Sequence, residues 1–247
     1  MSKIKTFKIV GNSFSFIKNN FATYFSISVL PILIFNFQIF STRILYSIII
    51  EDVKVAILFY LIFYIISSYI YIRCAINIHR FVVLEKTPES YFENMWNKTI
   101  KWFWIYSIII GLPSFLFIFL LPFFIVMPIF TILIKFLIIA FIVLLIVWFV
   151  IARFSLIFPS VAVGDNVSFF AFGKTTKGAR LTIIFQGIIM FLTVMIISIP
   201  HTGIYNTIYY SHLLFTFFNS IMLQFGFVLL ITCLSFTYKQ WKEIQSN

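Results

Sequence analysis

Charged residues are scarce in this chain of 247 residues, because Asp, Glu, Lys and Arg together make up only 10% of it. A soluble globular domain carries about 25% charged residues, so this inventory cannot cover a water-exposed surface. Glycine, at eight residues, is too sparse for helix packing through small-residue motifs. The two cysteines, Cys74 and Cys233, have neither disulfide nor metal-ligand spacing, and we expect both to be inert residues inside helices.

Apolar residues fill the space that charges leave, at 62% of the chain, and Phe alone contributes 35. Since a membrane-spanning helix uses about 20 residues, this supply supports six spans with residues to spare for interfacial segments. It leaves nothing for a second, soluble domain, so we expect residues 1–247 to form a single integral membrane domain. The wealth of Phe, Ile, Asn and Lys suggests an AT-rich, bacterial genome, and no cleaved signal is expected.

Six apolar runs separated by charged segments predict an all-α, polytopic membrane protein with six transmembrane helices. The runs cover 21–42, 55–72, 102–126, 132–152, 181–199 and 213–237. The third and fourth runs must be separated by a short turn within the stretch from Pro113 through Pro122 and Pro128 to Lys135, and a re-entrant hairpin there would reduce the count. We favour two spans, because about 50 residues suffice for two crossings of ~30 Å at about 1.5 Å per residue.

The net charge of +11 is distributed unevenly among the connections. Of the 18 Lys and Arg residues, all but Arg43, Lys54 and Lys135 fall in the N-terminal segment, the second-to-third connection, the fourth-to-fifth connection or the C-terminus. These four segments lie on one side of a six-span protein. By the positive-inside rule both termini are cytoplasmic, in the bacterial plasma (inner) membrane.

Three cytoplasmic segments carry the pattern of interfacial amphipathic helices. In the first, apolar residues recur at three- and four-residue steps from Ile4 to Phe21, with lysines between them. In the second, Thr87 or Ser90 predicts a helix cap, with Pro88 in the first turn. The third covers 167–180 and has its basic residues, Lys174, Lys177 and Arg180, last, where they favour a helix C-terminus.

The unit of basic interfacial helix, span, outer turn and span therefore occurs three times. Arg73 and Arg153 occupy the cytoplasmic ends of the second and fourth spans, 80 residues apart. This spacing indicates three two-span repeats of about 80 residues. The alternative is six evenly spaced helices with basic residues wherever they meet the cytoplasm.

The stretch from Arg153 to Arg180 carries a motif. Its elements are Arg153, Pro159, Val161, Val163, Asp165, Phe170, Ala171, Phe172, Lys174, Thr175 and Arg180. It resembles the six-helix membrane domain that precedes the catalytic domain of some bacterial glycerophosphodiester phosphodiesterases, and the related stand-alone YciC-like inner-membrane proteins. Ser160 replaces the usual Ala of that pattern, Thr175 the Ser and Leu181 the closing Gly. The segment from Ser13 to Phe21 is also similar to the opening of the family.

The resemblance implies a six-helix membrane domain of a family whose stand-alone members have no assigned activity. Phosphodiesterase chemistry does not transfer, because its catalytic domain would need a soluble barrel of about 250 residues. The residues themselves agree, since no P-loop, G-x-S-x-G or H-E-x-x-H motif occurs. All seven acidic residues fall outside the predicted spans, which argues against ion-coupled transport. We expect no enzyme activity, cofactor or metal.

The candidate site residues are basic. Arg73, Asn77 and Arg80 share one helical face, and with Arg153 they could form a cytoplasm-facing pocket for lipid phosphates, completed by Glu85 or Asp165. The competing interpretation is that they snorkel to the inner headgroups as topology anchors. The full set of predicted headgroup or topology anchors is Arg73, Arg80, Lys98, Lys101, Arg153, Lys174, Lys177 and Arg180.

We therefore predict a non-catalytic protein that binds anionic phospholipid of the inner leaflet and organises the envelope or serves a membrane protein partner. Nucleic acid is not expected as a partner, because the basic residues lie at span ends rather than in a separate domain. The alternative is a lipid or small-solute transporter that uses the basic pocket.

Overall fold

The computed structural model describes residues 6–51, 53–93, 97–110, 154–165, 182–188 and 211–246. This part of the chain contains seven helices and no strand, which confirms the all-α prediction. The helices are α1 (Thr6–Asn19), α2 (Phe21–Glu51), α3 (Val53–Leu84), α4 (98–110), α5 (Ile157–Val163), α6 (182–188) and α7 (Ser211–Ser246).

Two helices are long and apolar enough to cross a membrane. They are Leu61–Leu84 in α3 and Phe217–Gln245 in α7. A third candidate is the pair formed by α1 and the first part of α2, Phe21–Phe37, which is bent by 89°. The described residues thus hold two to three candidate spans. The predicted span 132–152 lies outside them, and those at 102–126 and 181–199 are described only near their first residues.

Two helices extend past the predicted spans. The structure continues α3 from the expected end at residue 72 to Leu84, and α7 from residue 237 to Ser246. Arg73 and Arg80 therefore lie inside a helix and not in a connection. The sequence prediction ended the spans at the first polar residues, whereas in the fold these side chains have partners on neighbouring segments.

α1 confirms the first predicted amphipathic helix, but it has two apolar faces. One contains Ile9 and Ile17, which are buried against the bundle. The other exposes Phe7 (74%) and Phe14 (43%). Phe16, which interrupts the predicted polar face, packs its ring 5.4 Å from that of Phe81 in α3 and 5.5 Å from that of Phe236 in α7. The residue that blurred the sequence pattern is thus a core contact.

The second predicted amphipathic helix is wrong in position. Residues 85–90 are not helical and 91–93 form a turn. α4 begins at residue 98, where the Asn97 side chain accepts a hydrogen bond from the Ile100 N–H at 2.9 Å. The caps at Thr87 and Ser90 do not form, because side chains of α3 bind the carbonyls of this segment. The third predicted amphipathic helix, 167–180, lies outside the described residues.

α7 packs against helices α1, α2, α3 and α5, and hydrogen bonds join its buried face to its neighbours. Thr232 bonds Tyr24 of α2 at 3.0 Å, and Ser235 bonds His79 of α3 at 2.7 Å. Further bonds join Asn36 to Ser220 (2.6 Å), Gln186 to Thr237 (3.0 Å) and Gln224 to the Cys74 thiol (3.6 Å). These bonds link α7 to α2, α3 and α6.

Both cysteines are free and buried inside helices, as expected from the sequence.

Candidate functional site: a buried arginine cluster and a lysine-bearing helix end

Arg73 is fully buried on α3 and is bound by the segment that follows this helix, residues 85–93, here called the strap. Its Nη2 donates to the Glu89 carboxylate at 2.9 Å and to the carbonyls of Ser90 at 3.0 Å and Glu93 at 2.8 Å. Its Nε donates to the Ser90 carbonyl at 3.2 Å. Three acceptors from one short segment therefore fix a charge that has no access to solvent.

Asn77 and Arg80 lie one and two helical turns further along the same face of α3 and bind the same acid residue. Asn77 donates to the Glu89 carbonyl at 2.8 Å, and Arg80 Nη1 donates to the Glu89 carboxylate at 2.6 Å. Arg80 Nε also donates to the Ala162 carbonyl of α5 at 2.8 Å. The shared face predicted from the sequence is present.

The acid that completes this cluster is Glu89, and not Glu85 or Asp165 as the sequence suggested. Local spacing gave no sign of it, because Glu89 lies nine residues after Arg80 across a non-helical segment. The one available signal was that Glu89 follows Pro88. A proline disfavours helix in the residue before it, which indicates an extended segment or a turn at this point. The geometry also differs from the prediction that Arg73 reaches the headgroups, because its side chain is 0% exposed.

Aromatic side chains hold the strap on its other flank. The Tyr91 hydroxyl donates to the Ile27 carbonyl of α2, and the Tyr69 hydroxyl donates to the Tyr91 carbonyl at 2.7 Å. Burial raises the pKa of Tyr91 well above its usual range, so its hydroxyl keeps the proton that it donates. The strap is thereby attached to α2 as well as to α3.

The cluster has surplus hydrogen-bonding capacity. Arg73 Nη1 and Asn77 Oδ1 are buried and have no hydrogen-bond partner. One carboxylate also serves two guanidinium groups, which leaves an excess positive charge. No group of three or more His, Cys, Asp or Glu residues able to hold a metal occurs in the described part of the chain. The two unpartnered atoms can form hydrogen bonds with an anion or a polar molecule, and the cluster supplies no nucleophile with an adjacent base.

Two further acids, Glu85 and Asp165, lie 80 residues apart and pair with lysines of α7. Lys239 lies 3.5 Å from the Glu85 carboxylate, and Lys242 lies 2.9 Å from that of Asp165. The backbone is left-handed at Glu85 itself (φ 57°) and at Gly164, the residue before Asp165 (φ 84°).

Asp165 is the most strongly held of these acids. Burial raises its pKa, but hydrogen bonds from Tyr238 and Lys242 and the charge of Lys242 outweigh burial, so its pKa lies below the usual range. Tyr238 donates its hydroxyl hydrogen to the Asp165 carboxylate. Asp165, with its partners Tyr238 and Lys242, therefore joins the end of α5 to the end of α7.

The remaining predicted anchors have different surroundings. Lys98 and Lys101 are exposed at the start of α4. Arg153, Lys174, Lys177 and Arg180 lie outside the described residues. Lys8 and Lys18 of α1 are also exposed, and they add to the basic surface.

Replacing Arg73 by Gln should lower the free energy of unfolding by about 3 kcal/mol, at the low end of the cost of breaking a buried ion pair because Glu89 keeps some solvent contact. The matched control is Glu93→Gln, which should stay within about 0.5 kcal/mol of wild type, because Arg73 binds the main-chain carbonyl of Glu93. Denaturation of the purified protein in detergent micelles measures both. Equal stability of the two variants would contradict the cluster.

The Asp165 pair should give a pH-dependent contribution to stability. Because the folded-state pKa of Asp165 is lowered, the contribution is present above its ordinary value of 3.8 and disappears as the pH falls through the folded-state value. Thermal unfolding of wild type and Asp165→Asn should therefore differ by a constant amount near neutral pH and converge below about pH 4. A difference that persists undiminished at the lowest pH would show that the carboxylate charge is not responsible.

Comparisons with protein-family models, curated proteins and solved structures found no match to this chain.

Proposed function

We propose that this chain is a non-catalytic, multi-pass protein of the bacterial plasma membrane that binds anionic phospholipid at its cytoplasmic face. Six spans place both termini in the cytoplasm. The role is to organise the envelope or to serve as the subunit of a membrane protein partner. The resemblance to the membrane domain of glycerophosphodiester phosphodiesterases and to YciC-like proteins points to the same class.

The geometry of α1 carries this proposal. An 89° bend separates α1 from α2, so α1 lies along the membrane plane if α2 crosses it. Its outer face exposes the rings of Phe7 and Phe14 beside the ammonium groups of Lys8 and Lys18. Helices with this combination bury their aromatic residues at the level of the headgroups, where each basic residue gains about 1 kcal/mol from anionic lipid.

The contacts at one end of the bundle support the proposed orientation. The C-terminal end of α3 meets that of α7 through Glu85 and Lys239, and α1 lies beside the same part of α7 through Phe16 and Phe236. The N-terminal helix, the strap and the C-terminal lysines therefore occupy one end. A common end for these basic segments is what the positive-inside rule requires of a cytoplasmic face.

A transporter of lipid or small solutes is the second candidate, and the unsatisfied atoms of the arginine cluster favour it. Arg73 Nη1 could donate a hydrogen bond to a polar solute, and Asn77 Oδ1 could accept one from it. The cluster is nevertheless closed by the strap, and its acid, Glu89, is already paired with both Arg73 and Arg80. Replacing Arg73 and Arg153 by Gln tests this second candidate: loss of a transported substrate with normal insertion favours the pocket, and unchanged transport with normal insertion contradicts it.

Reporter fusions after residues 52, 128, 206 and 247 test the topology. The first three should report the periplasm and the last the cytoplasm, because an even number of spans returns the chain to its starting side. A periplasmic report at 247 would refute the six-span orientation.

The double variant Lys8→Gln/Lys18→Gln should bind phosphatidylglycerol about 30-fold more weakly, since two basic residues contribute about 1 kcal/mol each. Native mass spectrometry of the full chain, with phosphatidylcholine as reference lipid, measures the ratio. Lys54→Gln is the matched control. In the proposed topology this lysine lies on the periplasmic side of the membrane, so its loss should leave the ratio unchanged. An equal effect of both variants would show a response to net charge rather than to α1.

A further inference from the structure

A cleft of about 370 Å³ lies between α1 and the C-terminal end of α7. Its volume falls in the range of small-molecule sites, about 300–1,000 Å³. Side chains from both helices line it, including Lys8, Ile9, Phe236, Lys239, Gln240 and Glu243. None of these residues takes part in the arginine cluster.

The described residues give this cleft charges of both signs. Lys8 of α1 and Lys239 of α7 contribute two ammonium groups. Glu243 contributes a carboxylate to the wall, and Glu85 lies 3.5 Å from Lys239. A site with both signs of charge is complementary to a zwitterion, which presents an anionic and a cationic group together, rather than to a simple anion.

Gln240 supplies the feature that points to a particular donor. Its side-chain oxygen Oε1 is buried and has no hydrogen-bond partner. A buried acceptor left without a donor costs about 1–3 kcal/mol. A ligand that brings an N–H group to this oxygen would recover that cost, whereas one without a hydrogen-bond donor would not.

If α7 crosses the membrane as proposed, the cleft lies at the level of the lipid headgroups. Phe236 to Glu243 occupy the end of the candidate span Phe217–Gln245, and α1 turns away from α2 by 89°. The apolar side chains of Ile9 and Phe236 line the cleft beside its charged groups. A ligand with a polar head and an apolar continuation matches both parts of this lining.

We propose that the α1–α7 cleft binds the headgroup of phosphatidylethanolamine. Lys8 and Lys239 hold the phosphodiester oxygens, and the primary ammonium donates to Gln240 Oε1 and pairs with Glu243. The inference rests on the proposed function for the placement of α1 in the interface, and it goes further by naming a zwitterionic lipid at a defined site. Soluble glycerophosphoethanolamine has the same headgroup chemistry.

The test uses phosphatidylethanolamine and its mono-, di- and trimethylated analogues with identical acyl chains. Methylation keeps the positive charge but removes N–H donors until none is left in phosphatidylcholine. Affinities measured by native mass spectrometry of the full chain should fall along the series, by about tenfold overall, because the final analogue leaves Gln240 Oε1 unpaired. Equal affinities for the first and last members would overturn the proposal.

Variants of Gln240 locate the effect. Gln240→Met should bind phosphatidylethanolamine about tenfold more weakly and lose the preference over phosphatidylcholine, while Gln240→Glu, which retains an acceptor, should keep it. Lys18→Gln, on α1 but not in the cleft, is the control and should also keep it. A Gln240→Met variant with the wild-type preference would refute the site.

Two further measurements separate this proposal from the proposed function and identify the source of the headgroup. Gln240→Met should leave phosphatidylglycerol binding unchanged, so failure of one proposal does not imply failure of the other. Displacement of the lipid by glycerophosphoethanolamine would support the headgroup as sufficient, and no displacement would support the intact lipid as the ligand. If glycerophosphoethanolamine displaces phosphatidylcholine and phosphatidylethanolamine equally, recognition of the N–H groups of the ammonium is contradicted.

Discussion

A guanidinium group with no access to solvent, on a helix apolar enough to cross a membrane, needs acceptors from elsewhere in the chain, and Arg73 obtains them from the strap. The cost of burying a charge in such surroundings is several kcal/mol. The hydrogen bonds of Arg73 Nε and Nη2 offset part of it, while Nη1 has no partner. Glu89 provides the charge, while Ser90 and Glu93 provide carbonyls. The same carboxylate binds Arg80, which in turn reaches α5. The end of α3, the strap and α5 are thereby fixed relative to one another.

Hydrogen bonds along α7 replace the small-residue packing that a chain with eight glycines cannot provide. Neighbouring helices contribute Tyr24, His79 and Gln186, whose partners lie close together on α7, between residues 232 and 237. Each such bond in a membrane protein is worth about 0.6 kcal/mol on average, so its value lies as much in fixing register as in stability. Aromatic contacts such as that of Phe16 fill the remaining space.

These contacts bring basic residues from distant parts of the sequence to one end of the bundle. Lys239 and Lys242 tie the C-terminal helix to two acids that lie 80 residues apart, and α1 packs beside the same helix end. A basic, aromatic-edged end with a cleft between α1 and α7 is suited to lipid headgroups. This surface is the physical basis of both proposals.

The sequence by itself determined the helical class, the presence of helices apolar enough to cross a membrane, and the amphipathic helix α1, because composition and periodicity are local properties. It also identified the shared face of Arg73, Asn77 and Arg80 from their spacing. Only the tertiary structure decided that Glu89 completes that face, and that the strap is not a helix. Both outcomes depend on contacts between residues far apart in the chain or across a turn. Local capping signals at Thr87 and Ser90 were outweighed because α3 side chains bind the strap carbonyls, and a carbonyl already bonded to Arg73 or Asn77 gains little from starting a helix.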